Sequence, residues 1–153
     1  TPSAESINNN AVLMISGWID DKYLKGYFQN HINNTNIFFV GNNHIHRIMN
    51  LSDCIILPSK YGEGVPRTLI EALAYSKPII TSDTQGCEDV FNDNGFMVKV
   101  VSKESLIKAV NDFCNLSDLV ITKMKDNSIK LFDEKFQADI IYRNTLSIFN
   151  KIM

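Results

Sequence analysis

The fold is decided by residues 54–80, which read CIILPSKYGEGVPRTLIEALAYSKPII. The stretch begins and ends with short runs that are apolar at every position, 54–57 and 78–80. Strands without polar alternation are typical of sheets that are covered on both faces. Between the runs, apolar residues recur at helical spacing over 66–75, and Pro66 suits the first position of a helix. This order of strand, loop, helix and strand indicates a unit of a parallel α/β sheet.

The same alternation extends along the rest of the chain. Further apolar runs predict strands at 11–15, 37–40 and 96–98. Periodic apolar residues predict helices at 20–32, 102–114, 116–132 and 136–149. Ser102 and Ser105 are candidate caps for the second of these helices. We therefore expect residues 1–153 to form one α/β domain, a Rossmann-like parallel sheet flanked by helices.

Composition narrows the function classes. The chain is 44% hydrophobic and 21% charged with a formal net charge of −2, so it is typical of globular proteins and has no basic footprint for nucleic acid. No apolar run approaches the roughly 20 residues that span a bilayer. Three cysteines without a C-x-x-C motif favour a reducing, cytoplasmic location. The start is polar and lacks Met, so we expect a trimmed start rather than a signal peptide.

The loop between the first two runs carries the candidate chemistry. Gly62 and Gly64 flank Glu63, and the missing side chains let the backbone approach a ligand closely. The free N–H groups at the start of the following helix, together with its dipole, predict a phosphate site. The residues that supply these groups are Arg67, Thr68 and Leu69.

Glu71 lies on a flank of the same predicted helix, beside its apolar face. A carboxylate there can accept two hydrogen bonds, which suits a vicinal diol such as a ribose. Two simpler interpretations stay open: Glu71 forms only a surface salt bridge with Arg67, and Glu63 is only an exposed turn residue. Glycoside hydrolysis is disfavoured, because a loop acid and an acid well inside the next helix are poorly placed to flank one bond.

Metal and nucleophile chemistry find little support in the sequence. His44 and His46 are two imidazoles without a nearby cysteine or paired carboxylate, which makes a poor metal site. Cys87 follows a predicted strand end, but no histidine is positioned beside it by the sequence. We expect neither group to act in catalysis.

Several segments resemble the C-terminal domain of GT-B retaining glycosyltransferases of family 4. Glu63 and Glu71 stand at the E-x7-E spacing of that family, and the similarity extends from about Val12 to Phe149. The matching segments, in chain order, are 52–59, 63–72, 77–80, 86–87 and 94–96.

The resemblance implies a role for each matching residue. Glu63 would be the catalytic-site acid that binds hydroxyls of the transferred sugar, and Glu71 would bind the ribose hydroxyls of the nucleotide. The sugar and the diphosphate would lie against Gly62, Gly64, Val65, Pro66, Arg67, Thr68 and Leu69. The base would be recognised by Gly41, Asn42 and Asn43, and Pro58 and Ser59 would shape the pocket wall.

The resemblance also implies the reaction. A nucleotide-sugar, most simply a UDP-sugar, would donate its sugar with retained configuration to a glycan or a lipid-linked acceptor. The chain contains no Asp-x-Asp motif, which agrees with a metal-independent site that needs no cofactor. The full-length enzyme would work in the cytoplasm, and peripheral association with the inner face of the cell membrane is compatible with this.

Departures from the family pattern leave other interpretations open. The acceptor-binding N-terminal domain and the first strand of this domain, with its Arg and Lys, are absent, so we expect a fragment of a longer enzyme. Ser76 stands where a helix-ending Gly is usual, and Asp89 where Glu is usual. One alternative is a non-catalytic nucleotide-sugar-binding subunit that docks on a separate acceptor-domain chain. Another is a regulatory α/β domain without a nucleotide site.

Overall fold

A computed structural model describes residues 11–17, 26, 36–41, 45–62 and 64–152. The predicted helix at 20–32, apart from Gly26, lies outside these residues, and so do Glu63, Asn42, Asn43 and His44. Contacts divide the chain into two units, Thr1–Leu51 and Ser52–Met153, which are described separately.

The described residues of the first unit form two short parallel strands and one helix. Strand β1, Leu13–Ile15, pairs with β2, Ile37–Phe39, and both strands lie where the apolar runs predict them. Helix α1, Ile45–Leu51, is not predicted by the sequence pattern. It makes only two turns and buries only Ile48 and Met49, too few positions to produce a recognisable helical period.

The second unit contains a three-stranded parallel sheet. Its strands are β3, Ile55–Leu57, β4, Ile79–Ser82, and β5, Gly95–Val98, and they lie in the order β3-β4-β5. All three coincide with predicted strands. Ile79 and Ile80 are both buried, and successive strand residues point to opposite faces, so the central strand is covered on both sides. The fold class expected from the sequence, an α/β fold with parallel strands and flanking helices, is confirmed.

In the described residues, four α-helices follow or connect these strands: α2, Arg67–Ala74; α3, Lys103–Cys114; α4, Asp118–Lys135; and α5, Ala138–Ile152. A short 3₁₀-helix, Glu88–Val90, lies between β4 and β5. Helix α2 packs against β3 and α4, whereas α3 packs against β4 and β5. Ala109 and Phe113 of α3 join Ile80 and Val98 of the sheet in one apolar cluster. The hydroxyl of Ser102 accepts a 3.1 Å hydrogen bond from the Ser105 N–H, which confirms Ser102 as the cap of α3.

Helix α2 ends in a Schellman motif built around Ser76. The Lys77 N–H donates to the Ala72 carbonyl and the Ser76 N–H to the Leu73 carbonyl, both at 2.9 Å. Ser76 has a φ of +52°, a left-handed conformation that normally favours glycine. The position is therefore the helix stop that the sequence pattern places there, with Ser carrying the strain of the missing Gly.

A hydrogen-bonded cluster closes the edge of the sheet at which β4 and β5 begin. Asn94 is fully buried, and its amide donates to the Val90 carbonyl and to the Ser128 hydroxyl of α4. Ser128 in turn donates to the Lys77 carbonyl at 2.8 Å. These bonds fasten α4 across the starts of two neighbouring strands. None of the described helices combines the length and the hydrophobicity that a membrane-spanning helix needs.

Candidate functional site

The three strands of the second unit end at one edge of the sheet, where ligands of open α/β sheets bind. The loops that leave this carboxyl edge are 58–66 after β3, 83–87 after β4 and 99–102 after β5. Thr81 near the end of β4 donates from its hydroxyl to the Leu57 carbonyl at the end of β3, at 3.0 Å. This side-chain bond joins the ends of the two strands whose loops lie next to each other.

The first of these loops is the glycine loop, residues 58–66. Its Ser59 N–H donates to the Leu57 carbonyl at 3.0 Å, so Pro58 and Ser59 turn tightly out of the strand. Its chain neighbours apart, none of the described residues lies within 4 Å of the position that a Cβ of Gly64 would take. The backbone is therefore bare and open at Gly64, as a loop that admits a ligand requires.

The start of α2 departs from the sequence prediction by one residue. Pro66 has an extended backbone and occupies the N-cap rather than the first helical position, because its carbonyl already accepts hydrogen bonds from Leu69 and Ile70. The N–H groups of Arg67 and Thr68 form no hydrogen bond with the described part of the chain. The expectation of a free N–H at Leu69 is wrong, since that group donates to Pro66 at 3.0 Å and the residue is fully buried. Two N–H groups, rather than three, point out of the helix start.

Glu71 forms a salt bridge with Arg67, the simpler interpretation that the sequence left open. Its Oε1 lies 2.9 Å from Nε of Arg67, whose side chain is 89% exposed, while the Glu71 side chain is 31% exposed. An exposed pair of this kind contributes about 0.3–0.5 kcal/mol. The second carboxylate oxygen has no hydrogen bond with the described residues. The bridge is therefore weak enough to exchange for a ligand, and Glu71 keeps acceptor capacity beyond it.

The loop after β4 is rigidly attached to the next loop along the edge. The Asp83 N–H donates to the Val98 carbonyl at 2.9 Å, and the Asp83 carboxylate accepts from the Val100 N–H at 2.8 Å. Val101 in that next loop has a φ of +61°, a strained conformation for a β-branched residue. Strain of this kind at the carboxyl edge marks a loop whose shape is held by its surroundings.

Two polar side chains on the β4 loop were not assigned by sequence reasoning. The hydroxyl of Thr84 is buried and has no hydrogen-bond partner in the described part of the protein. Gln85 is exposed, and its Cβ lies 3.4 Å from the position that a Cβ of Gly62 would take. The position of both residues directly after a predicted strand was the available signal, but only the fold shows that Gln85 meets the glycine loop.

The segment assigned to base recognition lies in the other unit. Gly41 follows β2 with a φ of +64°, and its carbonyl accepts a 2.8 Å hydrogen bond from the Ser16 hydroxyl. Asn42, Asn43 and Glu63 lie outside the described residues, so their roles stay predictions.

Thiol and metal chemistry are not supported by the electrostatics of the described residues. Burial, followed by the nearby Cys114 and Asp53, raises the pKa of Cys54 to about 12, so this thiol is protonated at neutral pH. Cys87 is buried at the carboxyl edge. Within the described residues, no group of three His, Cys, Asp or Glu side chains could hold a metal ion. Metal independence of the full site stays a prediction.

Comparisons with known proteins agree with this geometry. Residues 3–130 match the family model described as glycosyl transferases group 1. Over 75 residues, 48% of the chain, the sequence is 32% identical to the "Putative teichuronic acid biosynthesis glycosyltransferase TuaC" of Bacillus subtilis strain 168, of which it covers 19%.

Solved structures match over nearly the whole chain. A glycosyltransferase from Rickettsia africae ESF-5 is 25% identical with a TM-score of 0.80, and the match covers 92% of this chain and 40% of that one. Anabaena Alr3699/HepE in complex with UDP-glucose is 18% identical with a TM-score of 0.78, over 92% and 41% of the two chains. The chain thus spans about two fifths of these structures. Because the family model covers most of its residues, the chain belongs to the glycosyl transferases group 1 family.

Proposed function

We propose that this chain is the donor-binding domain of a retaining glycosyltransferase and that its donor is a UDP-sugar. The observation that carries the proposal is the junction of the glycine loop with α2. There, the bare backbone of Gly64, the two unbonded N–H groups of Arg67 and Thr68, and the flank acid Glu71 follow one another at the carboxyl edge of a parallel sheet.

Each part of the donor has a chemically suitable partner at this junction. The N–H groups of Arg67 and Thr68, with the positive end of the helix dipole, favour a diphosphate and stabilise the charge that grows on it as the sugar leaves. Glu71 lies one turn into the helix and can accept hydrogen bonds from the ribose diol. Glu63, between the two glycines, would bind hydroxyls of the transferred sugar.

The proposed reaction keeps the configuration of the sugar. The acceptor hydroxyl attacks on the face from which the diphosphate departs, and a phosphate oxygen of the donor takes the proton. The proposal includes a metal-independent site, a cytoplasmic location and a glycan or lipid-linked acceptor. The UDP-glucose bound by the Anabaena protein supports a UDP-sugar, and the name of the Bacillus relative supports a glycan acceptor.

Titration of the chain with UDP tests the proposal. UDP should bind and perturb the backbone amide resonances of residues 64–71, and Glu71→Gln should weaken binding at least about tenfold, because a charged hydrogen-bond acceptor is lost. Glu134→Gln is the matched control, since Glu134 also pairs with a cation four residues away on an exposed helix surface. Binding should persist in EDTA. The proposal fails if millimolar UDP leaves residues 64–71 unperturbed, or if the two variants bind alike.

A second candidate function, a nucleotide-sugar-binding subunit that docks on a separate acceptor-domain chain, is favoured by helix α5. Its exposed apolar residues are spaced so that they form one stripe along the helix, and they include Ile141, Tyr142, Ile148 and Phe149. A stripe of this kind on an exposed helix marks a surface that another structural element covers. Transfer activity that appears only after a second chain is added would favour this candidate over a single continuous enzyme.

A further inference from the structure

Gln85 is the exposed polar side chain that stands against the glycine loop. A Cβ at Gly62 would lie 3.4 Å from the Gln85 Cβ and 4.0 Å from its Oε1, so any side chain at position 62 would grow into the space beside the amide. The glycine therefore leaves that space open. The side-chain amide of Gln85 forms no hydrogen bond with the rest of the chain where the structure describes it. It offers two donors and one acceptor to whatever enters the space.

The loop that carries Gln85 is held on both sides. Before it, the Thr84 N–H donates to the Ser82 carbonyl at 2.8 Å; after it, the Cys87 N–H donates back to the Thr84 carbonyl at 3.0 Å. Gly86 supplies the left-handed turn, with a φ of +87°, and Cys87 anchors the loop by its burial. The backbone of Gln85 is thereby fixed, so its side chain is presented to the glycine loop at little further cost in backbone ordering.

The order of groups in a nucleotide-sugar decides which part Gln85 faces. The ribose, the diphosphate and the sugar follow one another in the donor. Under the proposed function, Glu71 takes the ribose and the start of α2 takes the diphosphate. Gly62 comes before the start of α2 in the sequence, whereas Glu71 comes after it. The part of the donor left for the space between Gly62 and Gln85 is therefore the sugar.

We infer that Gln85 is a specificity-determining residue that hydrogen-bonds a hydroxyl or amide substituent of the transferred sugar. The inference rests on the proposed function, because it needs a donor bound at the glycine loop. It adds a polar contact from the β4 loop to those of the glycine loop and α2. The sugar would then be contacted by the loops that follow two neighbouring strands, β3 and β4.

Calorimetric titration with UDP and with UDP-sugars distinguishes sugar recognition by Gln85 from UDP binding by the rest of the site. The probes are UDP, UDP-glucose, UDP-galactose and UDP-N-acetylglucosamine, and the UDP-sugar that binds wild type most tightly is carried forward. Gln85→Ala should raise the dissociation constant of that UDP-sugar by about three- to tenfold, the effect of one hydrogen bond, and leave that of UDP within about twofold. Gln85→Asn, which keeps the amide but shortens its reach, should show the same selective loss.

Gln137→Ala provides the matched control, because it removes another exposed glutamine amide, one that bonds Asp133 instead. Thermal unfolding should show that both Gln85 variants are as stable as wild type, since the Gln85 side chain makes no hydrogen bond with the described residues.

Three results would overturn the inference: Gln85→Ala weakens UDP and the UDP-sugar equally, it weakens neither, or no UDP-sugar binds wild type more tightly than UDP. If UDP still binds and still depends on Glu71, only this inference is lost. If wild type does not bind UDP, the proposed function is lost with it.

Discussion

Polar groups are paired within the protein at one edge of the three-stranded sheet and left unpaired at the other. At the amino edge, where β4 and β5 begin, the amide of Asn94 and the hydroxyl of Ser128 are paired within the protein, and both residues are buried. At the carboxyl edge, the described residues include two unbonded N–H groups, the buried hydroxyl of Thr84 and the amide of Gln85, all without partners. The buried hydroxyl of Thr84 is left unpaired at a cost in stability, whereas the exposed N–H groups and the Gln85 amide are solvated and open to a ligand.

Stability and recognition are therefore separated between the two ends of the strands. The amino edge is closed by α4, whose Asn127 also donates to the Asp93 carbonyl at 2.9 Å. The carboxyl edge is formed by loops whose backbones are fixed but whose polar groups are open. Changes at the first edge should therefore affect unfolding, and changes at the second should affect binding.

The largest effect on stability is expected from Gly95→Ala at the amino edge. A Cβ at Gly95 would overlap the carbonyl oxygen of Ile79 on the neighbouring strand, so β4 and β5 could not keep their spacing. We expect the free energy of unfolding to fall by about 3 kcal/mol or more in urea titrations.

Gly64→Ala is the control from the carboxyl edge, because its added Cβ would meet no described residue within 4 Å apart from its chain neighbours. Its stability should stay within about 0.5 kcal/mol of wild type. If the two glycine variants unfold at the same urea concentration, the separation of the edges is wrong.

A smaller loss of stability is expected from Asn94→Ala. The substitution leaves the Asn92 N–H and the buried Val90 carbonyl without their side-chain partner and should cost about 2 kcal/mol. Asn127→Ala removes a single exposed bond and should cost less than about 1 kcal/mol. The midpoints of urea unfolding measure both, and UDP binding by the folded fraction of either variant should match wild type. Weaker UDP binding by folded Asn94→Ala would show that the edges are coupled.

A change of opposite sign is expected from Thr84→Val at the carboxyl edge. Replacing a buried hydroxyl that has no partner by a methyl group of similar size should raise the free energy of unfolding by about 1 kcal/mol. Differential scanning calorimetry would detect the gain as a higher Tm. A lower Tm would mean that this hydroxyl is paired in solution and that the carboxyl edge is not open at Thr84.

Much of the fold could be predicted from local patterns. The runs at 54–57 and 78–80 became β3 and β4 because a strand covered on both faces leaves no place for a polar residue. Helix α1 escaped prediction because two buried residues do not make a period. The start of α2 was misplaced by one residue, since proline fits both the N-cap and the first helical position, and only the hydrogen bonds to its carbonyl distinguish them.

The candidate site divides in the same way. Gly62, Gly64 and Glu71 lie within ten residues of each other, so the sequence alone determines their spacing along one loop and one helix. Three other features depend on geometry in space. They are the hydrogen bond from the Leu69 N–H to the Pro66 carbonyl, the Arg67–Glu71 salt bridge, and the position of Gln85 beside Gly62. The last of these joins residues more than twenty positions apart in the sequence, and it exists only because parallel strands bring the loops after β3 and β4 to one edge. Local patterns determine which elements form, whereas contacts between distant residues are decided by how those elements pack.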